Sequence, residues 1–230
     1  MVRLPEKFLE WNYYPRRRLI EEMLAGPSHA SPEKLALEFT RHNPVLVTAA
    51  QMGGGIRVNG KVVGCGYVLR REYMAEAVKA FSDHIAESDE AYEEARGDRA
   101  ALRRLYAEHA ARGARLMLRY VYLPRGEAEE RVDFEKLATV ELAMKETWRI
   151  VQRSRAASLV FFQPPVVSFE VKGRLSVHLG DEYHRLVTLI HDAYHYTPPE
   201  HRGERPVYIL HVEEVYDKSA TASGFGRRIA

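Results

Sequence analysis

Two β-forming runs, residues 157–163 and 166–178, meet across Pro164-Pro165, and this junction constrains the fold more than any other feature of the chain. Neither proline can supply an N–H to a strand ladder, so the pair belongs at a turn or a sheet edge, with the flanking runs folding back on each other. A helical stretch carrying Lys145 and Thr147 leads into the first run, and a second helix follows the second run as far as Tyr196. The order helix, strand, strand, helix describes one half of a small β-barrel.

Composition limits what such a barrel can do. With 230 residues, 46% hydrophobic and 29% charged, the chain can bury a full core without disulfides or metals. A formal charge of +2 lacks the concentrated basic stripe of a dedicated nucleic-acid binder, so no nucleic-acid partner is expected. Cys65 is the single cysteine, which excludes an internal disulfide, suits a reducing cytoplasm, and reads as a small apolar residue on a strand. The first residues lack the apolar region of a signal peptide, and no apolar run approaches the ~20 residues of a membrane helix. The expected location is cytoplasmic, away from membranes. There is no triphosphate-binding loop and no Gly-x-Ser-x-Gly elbow, so hydrolase chemistry has no anchor.

Local signals predict a single domain over 1–230. Residues 1–43 read as an N-terminal helical cap, broken at Pro15 and at Gly26-Pro27, with Ser31 capping a second helix that starts at Pro32. A strand is expected over 44–50, with Gly53-Gly54-Gly55 as a flexible connection. Asn59-Gly60 gives the strongest hairpin signal and is expected to pair 56–58 with 61–69. Residues 71–113 read as a charged helical insertion split at Gly97-Asp98. Strand character is expected over 114–123, helix over 134–152, and a last strand over 206–215.

These segments read as α+β, and the likeness they bear to a known superfamily implies an antiparallel split β-barrel of six to seven strands with peripheral helices and a helical insertion, built from 44–70 and 114–217. The stretch Lys145-Glu-Thr-Trp-Arg-Ile150, running into Leu159-Val-Phe-Phe162, resembles the split-barrel flavoproteins of the pyridoxamine 5′-phosphate oxidase-like superfamily, including its flavin reductases. Two further segments carry the resemblance: the basic alternating run from Arg115 to Arg119, and the strand containing Gly173. The resemblance implies FMN as cofactor, with its phosphate near Lys145, Thr147 and Arg119 or Arg115, and Gln163 beside the same site. It also implies a homodimer and an oxidoreductase acting on an unidentified small molecule or electron donor. The long insertion and the Gly-Phe-Gly-Arg-Arg tail depart from the compact oxidases, which leaves the substrate open.

A rival reading rests on His184, His191 and His195, whose spacings of seven and four put them on one helical stripe where a pair could grip a metal ion. The same stripe borders Tyr183, Leu186, Ile190 and Tyr194, as ordinary histidines at the edge of a core also would. A third reading is a flavin-free barrel that serves as a binding or structural module.

Overall fold

The computed structural model describes residues 1–26 and 32–230. Its order is α1 (Glu6–Ala25), α2 (Pro32–Thr40), β1 (Val45–Met52), β2 (Gly55–Val62), α3 (Met74–Ala95), α4 (Arg99–Tyr120) and α5 (Arg125–Arg131). There follow β3 (Lys136–Val140), α6 (Glu146–Val151), β4 (Ala156–Gln163), β5 (Val167–His178), α7 (Glu182–Tyr194), β6 (Val207–Asp217) and β7 (Arg227–Arg228). The fold is α+β, as expected. The strands form one antiparallel sheet in the order β2-β1-β4-β5-β6-β3, with β7 added to β6, and the sheet is not closed.

The Pro164-Pro165 junction, a cis peptide, turns β4 into β5, and Ala157 to Gln163 pair with Gly173 to Val167 as the two runs require. Inward side chains of this pair, Leu159, Phe161, Phe169 and Val171, are buried. Phe8 of α1 packs on this pair, meeting the rings of Phe161 and Phe169 edge-on at 5.1 and 5.4 Å. Opposite Gly173 the register of β5 on β6 shifts, and an added Cβ would lie 1.9 Å from the His211 carbonyl oxygen. Only glycine lets the two backbones come this close.

Several expectations are corrected. The first hairpin turns at Gly53-Gly54, with φ of 59° and 82°, while Asn59 and Gly60 lie inside β2 opposite Thr48 and Val47. Two adjacent glycines meet the positive φ of both central turn positions at lower cost than Asn-Gly, and this placement extends β1 and β2 to eight residues each. Residues 114–120 are the last turns of α4, not a strand. The buried Gly113, Ala114, Met117 and Tyr120 recur at helical spacing, and packing of that face overrides the β-rich composition. Within 134–152 only α6 is helical, and it is preceded by β3, whose Leu137, Ala138 and Thr139 are all buried, so that no alternation marks it as a strand.

α1 continues through Pro15 unbroken. Proline cannot donate to the carbonyl of Trp11, and the Arg41 guanidinium donates to that oxygen instead, at 2.8 Å. The cap expected at Ser31 lies outside the described residues.

After β2 the chain crosses from one sheet edge to the other. Cys65 N–H donates to His42 O at 2.9 Å, and Gly66 exchanges two hydrogen bonds of 2.9 Å with Ala138 on β3. Gly64, Cys65, Gly66 and Tyr67 of this crossing line one recess together with residues of α1, α2, α4 and α7.

Candidate functional site

Two recesses lie on either side of the β3-to-α6 connection. The first is a cleft of about 220 Å³ lined by Asn59, Gly60, Lys61, Glu141, Ala143, Lys145, Glu146 and Thr147. β2 supplies Asn59 and Lys61 from one face because side chains two apart on a strand point the same way. Lys145 stands at the start of α6, and Thr147 is buried in its first turn. The Asn59 amide donates to Thr147 Oγ1 at 2.9 Å, which ties α6 to β2.

The charges of this cleft are mostly matched. Lys61 Nζ is 2.6 Å from Glu141 Oε1, and Glu146 is held by Arg57 at 3.0 Å. Burial pushes the Glu141 carboxyl up, but Lys61 and the amides of Ala143 and Met144 outweigh it and hold the group below the usual carboxylate range. Lys145 has no carboxylate partner among the described residues, so its charge sets the sign of the cleft. A phosphate fits this donor set: Lys145 supplies charge, the Thr147 hydroxyl and Asn59 supply hydrogen bonds, and both carboxylates are already neutralised.

The sequence thus places Lys145 and Thr147 together, and the structure adds Asn59 and Lys61. The other expected ligands lie elsewhere. Arg115 and Arg119 are on the exposed face of α4 and do not line the cleft, with Arg119 3.8 Å from Glu76 and stacked over Tyr120. Gln163 is buried beneath α1 and accepts from Trp11 Nε1 at 2.9 Å.

The second recess is a cavity of about 360 Å³ bounded by α1, α2, α4, α7 and β3, whose lining includes Arg16, His42, Tyr67, Met117, Thr139 and Ile190. His191 and His195 reach it, but His191 bonds Asp192 at 2.8 Å. Among the described residues no group of three His, Cys, Asp or Glu is placed to hold a metal ion, so the histidine stripe does not assemble a site. Burial pushes the Cys65 thiol up to about 12, which keeps it protonated and inert at neutral pH. No helix among the described residues is long and apolar enough to cross a membrane.

No protein-family description matches this chain, and no curated protein matches it. Solved structures do. HupZ of Group A Streptococcus is 10% identical over 87% of this chain and 99% of its own, with a TM-score of 0.40. A candidate pyridoxamine 5′-phosphate oxidase from Lactobacillus delbrueckii is 14% identical over 81% of this chain and 93% of its own, TM-score 0.37. In fold, this chain is similar to pyridoxamine 5′-phosphate oxidase-related proteins. A further structure of that kind, a related FMN-binding protein from Nostoc punctiforme, is 11% identical over 81% of this chain and 84% of its own, TM-score 0.33.

Proposed function

We propose that this protein binds FMN and serves as a cytoplasmic flavin-dependent oxidoreductase acting between an electron donor and a small-molecule substrate. The observation that carries the reading is the convergence of Lys145, Thr147, Asn59 and Lys61 in one cleft with a surplus positive charge. When bound, the flavin supplies the redox chemistry, and the protein supplies position and electrostatics. Lys145 and Thr147 would hold the phosphate, and the Asn59 to Thr147 bond would fix the direction in which the hydroxyl donates.

The reading includes a homodimer. The outward face of β2 exposes Ile56, Val58 and Val62 to 75%, 62% and 66%, and Phe162 on β4 is 53% exposed on the same side of the sheet. An apolar edge of this kind is shielded most simply by a second copy across a two-fold axis.

The test is the visible spectrum and a fluorescence titration of purified protein with FMN. Stoichiometric uptake with flavin bands near ~450 nm supports the assignment. Absence of those bands from protein incubated with excess FMN and then freed of unbound flavin removes it.

A further inference from the structure

The cavity under α7 contains buried polar groups that have no hydrogen-bond partner among the described residues. His42 is 5% exposed, and neither of its ring nitrogens has a hydrogen-bond partner among the described residues. The same holds for Nε and Nη1 of Arg16 and for Oγ1 of Thr139, which is 6% exposed. All three side chains line this one cavity. Leaving such groups unpaired is costly, and folded proteins keep few of them. Five in one recess points to a ligand.

The walls specify its chemistry. Among the described residues no Asp or Glu lines the cavity, and the Arg16 guanidinium is the one arginine on its wall. That guanidinium stacks over Phe39 with its centre 5.5 Å from the ring, which fixes the plane of its donor fork. Burial, and then the adjacent Arg16 and Arg41, hold His42 well below the ordinary histidine range, so it offers one N–H and one lone pair. The α4 and α7 walls add the apolar side chains of Met117, Val187 and Ile190, with Tyr194, His191 and His195 beside them. At ~30 Å³ per molecule the space would take about a dozen waters, and each needs two to four polar partners, more than this largely apolar lining offers. A molecule with one anionic end and an apolar body matches this lining.

We propose that this cavity binds a small carboxylic acid with an apolar body, its carboxylate on Arg16 and His42 and its hydrocarbon part against Met117, Val187 and Ile190. The site is separate from the Lys145 cleft: the lining of one shares no residue with that of the other, although Leu142 of the cavity is flanked in sequence by Glu141 and Ala143 of the cleft. The proposal therefore does not depend on flavin binding.

Calorimetric and thermal-shift titrations of the full chain with phenylacetate and hexanoate test it, with 2-phenylethanol and hexanol as neutral counterparts and phenyl phosphate as a second anion. The expected result is saturable binding of the acids, at least tenfold tighter than the alcohols, weakened at least tenfold by Arg16→Gln and unchanged by Lys145→Ala. Ile190→Trp, which fills the space beside the apolar side chains and leaves Arg16 in place, should abolish binding even if Arg16→Gln fails to fold. Tighter binding of phenyl phosphate than of either acid, equal binding of acids and alcohols, or no saturable binding of the acids at millimolar concentration would each overturn the proposal.

Discussion

His84 of α3 and His109 of α4 stack with ring centroids 4.3 Å apart, and both point at the end of α7. His109 Nε2 donates to the Asp192 carbonyl at 2.7 Å and His84 Nε2 to that of Ala193 at 3.2 Å. The last carbonyls of a helix have no partner within it, so these two histidines satisfy α7 from neighbouring helices. Burial holds His109 at about 4 and lowers His84 as well.

A pH dependence follows with a definite sign. The unfolded chain takes up a proton near 6.5 and the folded one only near 4, so the stabilisation is complete above about 6.5 and declines as pH falls toward 4. Urea unfolding at pH 7 and pH 4.5 should differ by on the order of 2 kcal/mol through this site. His109→Gln should flatten that difference. An unchanged difference in the variant would assign the acid sensitivity to other groups.

Lys145→Ala should weaken FMN by about 1.5 kcal/mol, roughly tenfold, because an exposed charge-assisted contact to phosphate is lost. Riboflavin, which lacks the phosphate, should bind the variant as it binds the parent. Parallel fluorescence titrations decide the matter, and equal losses would put the phosphate elsewhere.

Val58→Glu places a charge in the middle of the exposed face of β2, where its partner on β1 is Ala49. Light scattering should report twice the chain mass for the parent at micromolar concentration and the single mass for the variant. A monomeric parent would remove the dimer from the proposed function.

Gly113→Ala probes the packing of α4 on α7. The added Cβ would sit 1.7 Å from the Ala193 carbonyl oxygen and 2.5 Å from its carbon, both backbone atoms. The helices must part, at about 1–3 kcal/mol, and at ~2–4 °C per kcal/mol the melting temperature should drop by several degrees. A variant that melts with the parent would mean that α7 shifts without cost.

The parts of the fold legible in the sequence were those whose signal is local. β4, β5 and β6 announce themselves as long β-branched and aromatic runs, and the break between α3 and α4 at Gly97-Asp98 carries its own cap, with Asp98 accepting from the amides of Ala100 and Ala101. The errors arose where context decides. Residues 114–123 look like a strand by composition, and only their contacts with α3 and α7 make the helical face of Gly113, Met117 and Tyr120 meaningful. β3 is covered on both faces and shows no alternation. In the cleft, Lys145 and Thr147 share one short stretch and could be read, whereas Asn59 and Lys61 belonged to what looked like a turn. Arg16, His42 and Thr139 come from three distant segments, and no spacing in the chain links them.

The crossing from β2 to β3 also bears on how the molecule forms. β1 finds its hairpin partner β2 at once, but its other neighbour, β4, is synthesised only after α3, α4, α5 and β3. The long loop closed by that pairing carries an entropic cost, and sheets that depend on distant partners form slowly. The helical hairpin of α3 and α4, whose contacts are local, can assemble in the interval and shorten the effective loop. The insertion is thus expected to act as a folding aid for the barrel as well as one wall of its cavity, and refolding should slow if the α3–α4 contact is weakened.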